Sequence, residues 1–233
     1  ASYVPGVVGG KSSNLARLGE LASEVGAATG VDVRVPTSVA LPFNAFDNTV
    51  ILPENTDARV ALEKAMVDLN AAGSVREATH AALAAARAAV ERLAIPPGLV
   101  DEVRQTALKV GAEGIAEACD DAVEPAWWQQ VRRVWASKYN ERAYASRTTL
   151  GMKESDVRMA VLLMEIVPSE YAFVLHSRNP VAEKPAAGEM MGEVVVGLGE
   201  TLVDNYPGAP LRFGPMACRF GPTTPEQVSL PWP

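Results

Sequence analysis

The spacing of apolar positions divides this chain into a helical first part and a strand-rich second part. Leu15, Leu18, Ala22 and Val25 recur at helical intervals near the start. From Asp57 to Val110 the sequence is alanine-rich, with Leu62, Met66 and Leu69 on one stripe and Leu83, Val90 and Leu93 on another. Pro96 and Pro97 interrupt that stretch, and Gly98 reopens it as far as Val110. After Pro125, Trp128, Val131, Trp135, Tyr139 and Arg142 share one predicted helical face. Ser12 or Ser13, Asp57 and Ser74 are the predicted caps.

From about Asp156 the period changes. Val157 to Val167 is almost unbroken in apolar character, as in a central strand covered on both faces, and Pro168 stops it. Tyr171 to His176 and Met190 to Val196 are two more strand-like runs, the second leading into Gly197, Leu198, Gly199 and Glu200. Earlier, Val33 to Phe46 reads as a short strand broken by Pro36, a loop, and a turn at Pro42 leading to core aromatics Phe43 and Phe46. Beyond Tyr206, seven prolines exclude regular structure over most of the remainder. The predicted organisation is α+β, with a helix-rich lobe over 1–155, a strand-rich lobe over 156–206 and a proline-rich irregular tail over 207–233.

Composition narrows the function. With 233 residues and 48% hydrophobic content the chain can bury a sizeable core. A net charge of −7 and a pI near 5.0 argue against broad nucleic-acid or anionic-membrane binding, though a local basic pocket for phosphates remains compatible with them. Cys119 and Cys218 form neither a disulfide framework nor a metal cluster, and fit a reducing compartment. No apolar run reaches the roughly 20 residues that span a bilayer. The chain begins at Ala1 with neither an initiator Met nor a targeting peptide, as a mature form or an excised fragment would.

Few residues invite chemistry. Lys11 follows Gly9 and Gly10 at the predicted start of a helix, where free amides and the dipole favour an anion; an exposed lysine in a capped turn is the alternative. GxxxxGK[ST] is absent. Glu200 stands past a strand end among glycines, either as a ligand to a nucleotide phosphate or its metal, or as a solvated residue of a plain turn. Glu165 sits alone among apolar neighbours before Pro168, where backbone groups at a strand end can serve a ligand or where the strand simply meets water. Arg142, on the aromatic face, needs a carboxylate or phosphate if buried, and a structural ion pair is the expected partner. Trp127, Trp128 and Trp135 suit a packing surface better than a sugar platform. His80 reads as a surface residue and His176 as a structural hydrogen-bonding one.

VGGKSSNLARLG, VPTSVALPFNAF, VWASKYNERAYASR, YAFVLHS and VVVGLGETLVDNYPG occur in that order, and together they resemble the α-glucan, water dikinases, relatives of phosphoenolpyruvate synthase and pyruvate, phosphate dikinase. The resemblance covers about Val7 to Pro210. It implies an incomplete ATP-grasp-type domain with ATP and Mg2+ as cofactors, Lys11 on the phosphates, Met164, Glu165 and Ile166 as the adenine hinge, and Glu200 near the ribose and phosphates. Relatives usually carry Gln where Met164 stands. The family's phosphohistidine domain and its arginine and acidic metal-binding segments have no counterpart here, so no catalytic residue and no metal ligand is assigned within the chain. By the same resemblance, starch-like α-glucan is reached through other domains, the location is the chloroplast stroma, and a homodimer is compatible with the chain. A phosphoenolpyruvate synthase-like or antibiotic phosphotransferase ATP domain, or a non-catalytic nucleotide- or glucan-binding module, are the alternatives.

Overall fold

A computed structural model describes residues 6–73, 75–120, 124–181, 189–199, 202 and 210–217 of the chain. They fall into two compact units, Ala1–Ile166 and Val167–Pro233.

The first unit is built from helices α1 (Gly9–Thr29), α2 (Asn44–Val50), α3 (Thr56–Ala72), α4 (Arg76–Val90), α5 (Leu99–Val110), α6 (Glu113–Glu117), α7 (Ala126–Ala136) and α8 (Glu141–Thr149), with strands β1 (Ser38–Leu41) and β2 (Val161–Met164). Alanines let α3 and α4 approach closely: Ala65, Ala82, Ala86 and Ala89 are all buried between larger neighbours. Leu83, Val90, Leu93, Trp128, Val131 and Trp135 are fully buried and form the centre of the core, on the stripes the spacing predicts. Burying each such side chain is worth about 1.5 to 3 kcal/mol. The Trp128 indole N–H donates to the Leu93 carbonyl at 3.0 Å, so this large residue is buried without stranding its polar atom. Asn55, 1% exposed, ties the α2–α3 corner to the end of α4: its amide donates to the Thr49 and Ala94 carbonyls, and its oxygen accepts from the Ala94 N–H at 2.6 Å.

Several expectations are corrected. The aromatic stripe of α7 does not continue to Arg142. A 3₁₀ turn at Ser137–Tyr139 and an extended Asn140 reset the helical phase, so Arg142 is exposed and Arg147 is the buried arginine, donating to the Lys138 carbonyl at 2.6 Å. Ser12 and Ser13 lie inside α1 rather than capping it, and the Ser13 hydroxyl donates back to the Gly9 and Gly10 carbonyls. Asp57 lies within the first turn of α3, behind Asn55; Ser74 lies outside the described residues. The strand near Pro36 follows that proline instead of preceding it.

The run Val157 to Val167 supplies only the four-residue β2, paired antiparallel with β1 and half-exposed, because β1 is itself only four residues long, confined between Pro36 and the turn at Pro42. With β1 as its one described partner, β2 is an edge strand rather than a central one, and its exposed Met164 shows that it is not covered throughout.

The second unit carries β3 (Tyr171–His176), β4 (Glu189–Val196) and β5 (Leu211–Ala217) in a three-stranded antiparallel sheet of order β3-β4-β5. The first two match the predicted runs. β5 lies inside the proline-rich stretch. An edge strand accommodates Pro215, since one of its sides needs no N–H donor. Tyr171, Phe173 and Leu175 alternate outward from β3 and are exposed. Phe213 and Leu175 close over Gly192, where a side chain of any size would collide with the Phe213 ring. The His176 imidazole makes no hydrogen bond among the described residues, in contrast to its expected structural role.

Candidate functional site

The glycine turn before α1 fixes where Lys11 stands. Gly9 takes φ +81, which a residue with a Cβ rarely adopts, and a Cβ added there would meet the Phe43 ring and Ala160 at ordinary contact distance. The Phe43 N–H donates to the Val7 carbonyl at 2.9 Å. The turn is thus anchored to the residues that end β1 and precede β2. Lys11 is the third residue of α1 and is exposed. Val8, at the N-cap, offers no side-chain acceptor, and the first turn holds no acidic residue. The first-turn N–H groups thus have no side-chain cap, and the exposed lysine stands among them, where a cation alone is opposed by the helix dipole.

At the other end of β2 the register decides which backbone groups are free. Ser38 pairs with Met164, and the ladder extends one step further, with the Glu165 N–H donating to the Thr37 carbonyl at 3.1 Å. Antiparallel pairing alternates, so the N–H and C=O of Met164 and Ile166 turn to the opposite edge of β2, where no described strand pairs. The Glu165 side chain is also engaged: its carboxylate accepts from the Thr37 hydroxyl and, at 3.1 Å, from the Gly114 N–H at the start of α6. Glu165 is therefore a tether between β1, β2 and α6.

At this end of β2 is a cavity of about 510 Å³ walled by Ile115, Ala118, Trp127, Leu163 and Met164. Its volume lies in the range of small-molecule sites, and its lining is mostly apolar, with Glu165 the one charged residue in it. Trp127 meets Trp128 edge to face at 6.2 Å, Trp128 meets Trp135 at 5.4 Å, and Trp135 meets Phe46 at 5.3 Å, so the wall is the end of a continuous aromatic stack. Cys119, buried next to α6, has its thiol pushed up by burial, which disfavours the reactive thiolate.

In the second unit, Gly197 ends β4 with φ +82, donating to the Glu170 carbonyl at 2.7 Å while its own carbonyl accepts from the Ser169 hydroxyl. Glu200 lies outside the described residues. Among those described, no group of three His, Cys, Asp or Glu side chains could hold a metal ion, and no helix is long and apolar enough to cross a membrane.

The structure thus brings Met164, Glu165 and Ile166 to one cavity edge and leaves Lys11 at the glycine turn toward the far end of β2. Sequence reasoning missed Thr37, Gly114 and Trp127 as members of the site. Thr37 is 128 positions from Glu165 and Gly114 is 51 positions away. No local pattern could join them.

Residues 120–208 match the family described as pyruvate phosphate dikinase, AMP/ATP-binding domain. The chain is 38% identical over 212 residues to the chloroplastic α-glucan water dikinase of Solanum tuberosum, covering 89% of this chain and 13% of that protein. It is 35% identical over 215 residues to the chloroplastic α-glucan water dikinase 1 of Arabidopsis thaliana, covering 91% of this chain and 14% of the relative. It is 26% identical over 221 residues to the rifampicin phosphotransferase of Streptomyces sviceus, covering 85% and 24%. The chain spans 13 to 14% of the length of the two dikinases.

Proposed function

We propose, on the premise that this chain belongs to the pyruvate phosphate dikinase AMP/ATP-binding family and is homologous to the α-glucan water dikinases, that it supplies part of the ATP site of a starch-phosphorylating dikinase. The observation that carries the site assignment is a cavity lined by residues 163–166 at the end of β2, a strand that has one described partner and so a second edge with no described pairing. A purine offers donors and acceptors along one edge and two apolar faces. Met164 and Ile166 present backbone donors and acceptors, and Leu163, Ile115 and Trp127 present apolar walls. The base contact needs no side chain from position 164, so a methionine there costs only an accessory interaction.

The glycine turn packs near the start of β2 and the hinge stands at its end, and β2 itself is about 13 Å long at the usual rise per strand residue. That is the order of the separation between the base and the phosphates of an extended nucleoside triphosphate. Lys11 and the α1 amides would hold the phosphates, and Glu200 would stand near the ribose and phosphates in an ATP-grasp arrangement. The bound ATP would supply the transferable β-phosphate. The chain's own contribution is positioning and neutralisation of charge, which dominate phosphoryl-transfer catalysis. Mg2+ would be held chiefly through the phosphates of ATP, since no group of three His, Cys, Asp or Glu side chains among the described residues could hold a metal ion.

In the parent protein the phosphate would pass through a histidine on another domain to a glucosyl hydroxyl of α-glucan, giving AMP and orthophosphate, in the plastid. The lower identity to the rifampicin phosphotransferase gives the antibiotic-modifying alternative less support. The test is Lys11→Met in the full-length parent protein. It should raise the ATP dissociation constant about 10- to 150-fold, the equivalent of one charge-assisted phosphate contact of roughly 1.5 to 3 kcal/mol, with little change in stability. Wild-type affinity and autophosphorylation in that variant would overturn the phosphate assignment, and phosphate transfer to pyruvate but not to glucan would overturn the dikinase reading.

A further inference from the structure

The phase reset before α8 leaves Arg142 facing a cleft that the nucleotide reading does not use. Arg87, on α4, donates to the Tyr139 carbonyl at 2.7 Å and to Glu141 at 3.1 Å, clamping the start of α8 against α4. Between the two helices lies a cavity of about 560 Å³ with Arg76, His80 and Arg142 in its lining, and it shares no lining residue with the cavity at β2. Neither Arg76 nor Arg142 has a carboxylate partner among the described residues. Glu141 is the sole carboxylate in the lining, and Arg87 already engages it.

We propose that this cleft is a binding site for a small phosphate-type anion, either orthophosphate or a phosphate monoester. In a chain of net charge −7, two unpaired guanidinium groups in one concavity make a local reversal of sign. Guanidinium groups offer planar forks that match phosphate oxygens, and an imidazole offers at least one N–H donor in either protonation state. The threonine hydroxyls in the lining are committed: Thr79 donates to the Val75 carbonyl, Thr148 to Tyr144 and Thr149 to Ala145. The donors left for a ligand are therefore the two arginines, His80 and the Tyr144 phenol, a set that selects negative charge rather than sugar hydroxyls. The volume leaves room for a sugar-sized group on the phosphate.

The test is a titration of the 233-residue chain with inorganic phosphate, glucose 6-phosphate and glucose, followed through backbone amide NMR signals. Saturable shifts should appear at residues 76–80 and 141–149 with both phosphates and not with glucose. Tighter binding of glucose 6-phosphate assigns the monoester as ligand, and equal binding assigns orthophosphate. The Arg76→Met, Arg142→Met pair should weaken binding about 100-fold, near the lower end of what two charge-assisted contacts contribute. Arg142→Lys keeps the charge but loses the fork, and should give a several-fold loss where the double variant does not fold. Shifts confined to residues 9–13 and 161–166, absence of saturation, or undiminished affinity in the arginine variants would overturn the proposal.

Discussion

Replacing Glu165 with alanine removes both contacts that fasten the end of β2, the Thr37 hydroxyl bond and the Gly114 amide bond. Hydrogen bonds to a charged group contribute about 1.5 to 3 kcal/mol each when buried. The Gly114 contact is exposed and the Thr37 contact half-buried, so the pair together should contribute about 2 kcal/mol, at the low end of that scale. In a chain of this size that is about 4 to 8 °C of thermal unfolding midpoint. The edge presented by Met164 and Ile166 would then be held in place for only part of the time, and ATP affinity should fall about fivefold by the fraction of competent chain. Glu165→Gln keeps an acceptor for the Gly114 amide and should lose about half the stability. Calorimetric unfolding and titration calorimetry with ATP measure the two effects. An unchanged midpoint with a large loss of ATP affinity would refute the tether and place the carboxylate on the nucleotide itself; unchanged values of both would refute any role for it.

Asn55→Ala strands the Thr49 carbonyl and both backbone groups of Ala94, so denaturant unfolding should show a loss of about 3 to 5 kcal/mol. Arg142→Ala should leave the unfolding midpoint nearly unchanged, whereas Arg147→Ala should lower it by several degrees, because only the second removes a buried contact, its bond to Lys138. Burial, followed by the neighbouring Glu154 carboxylate, pushes the Tyr139 phenol well above its ordinary value near 10. The folded chain thus retains a proton that the unfolded chain releases. Stability from this group is complete below that pH and declines as pH rises above it, and Tyr139→Phe should flatten the alkaline limb of a stability-against-pH curve.

Local pattern was enough for the helical stripes of Leu83, Val90, Trp128 and Trp135 and for strands β3 and β4, since each is a periodic run whose burial is decided within its own element. It misled where a neighbour set the outcome. β2 is short because β1 is bounded by Pro36 and Pro42, which the run Val157 to Val167 does not encode. Arg142 is exposed because a single 3₁₀ turn shifted the phase of the following helix. At the candidate site the glycine turn of Lys11 and the apolar run Val157 to Val167 that carries Glu165 were legible as motifs. Their companions Thr37, Gly114 and Trp127 were not, because they join through contacts between distant parts of the chain.

The edge-to-face chain from Trp127 through Trp128 to Trp135 also has an optical meaning. Indoles 5.4 and 6.2 Å apart exchange excitation far faster than they emit, so the three behave as one antenna. Light absorbed in the dry core at Trp135 can be drained at Trp127, in the wall of the cavity. A base stacked there would dim the emission of three of the chain's four tryptophans rather than one, giving this domain a built-in fluorescent gauge of occupancy that needs no label.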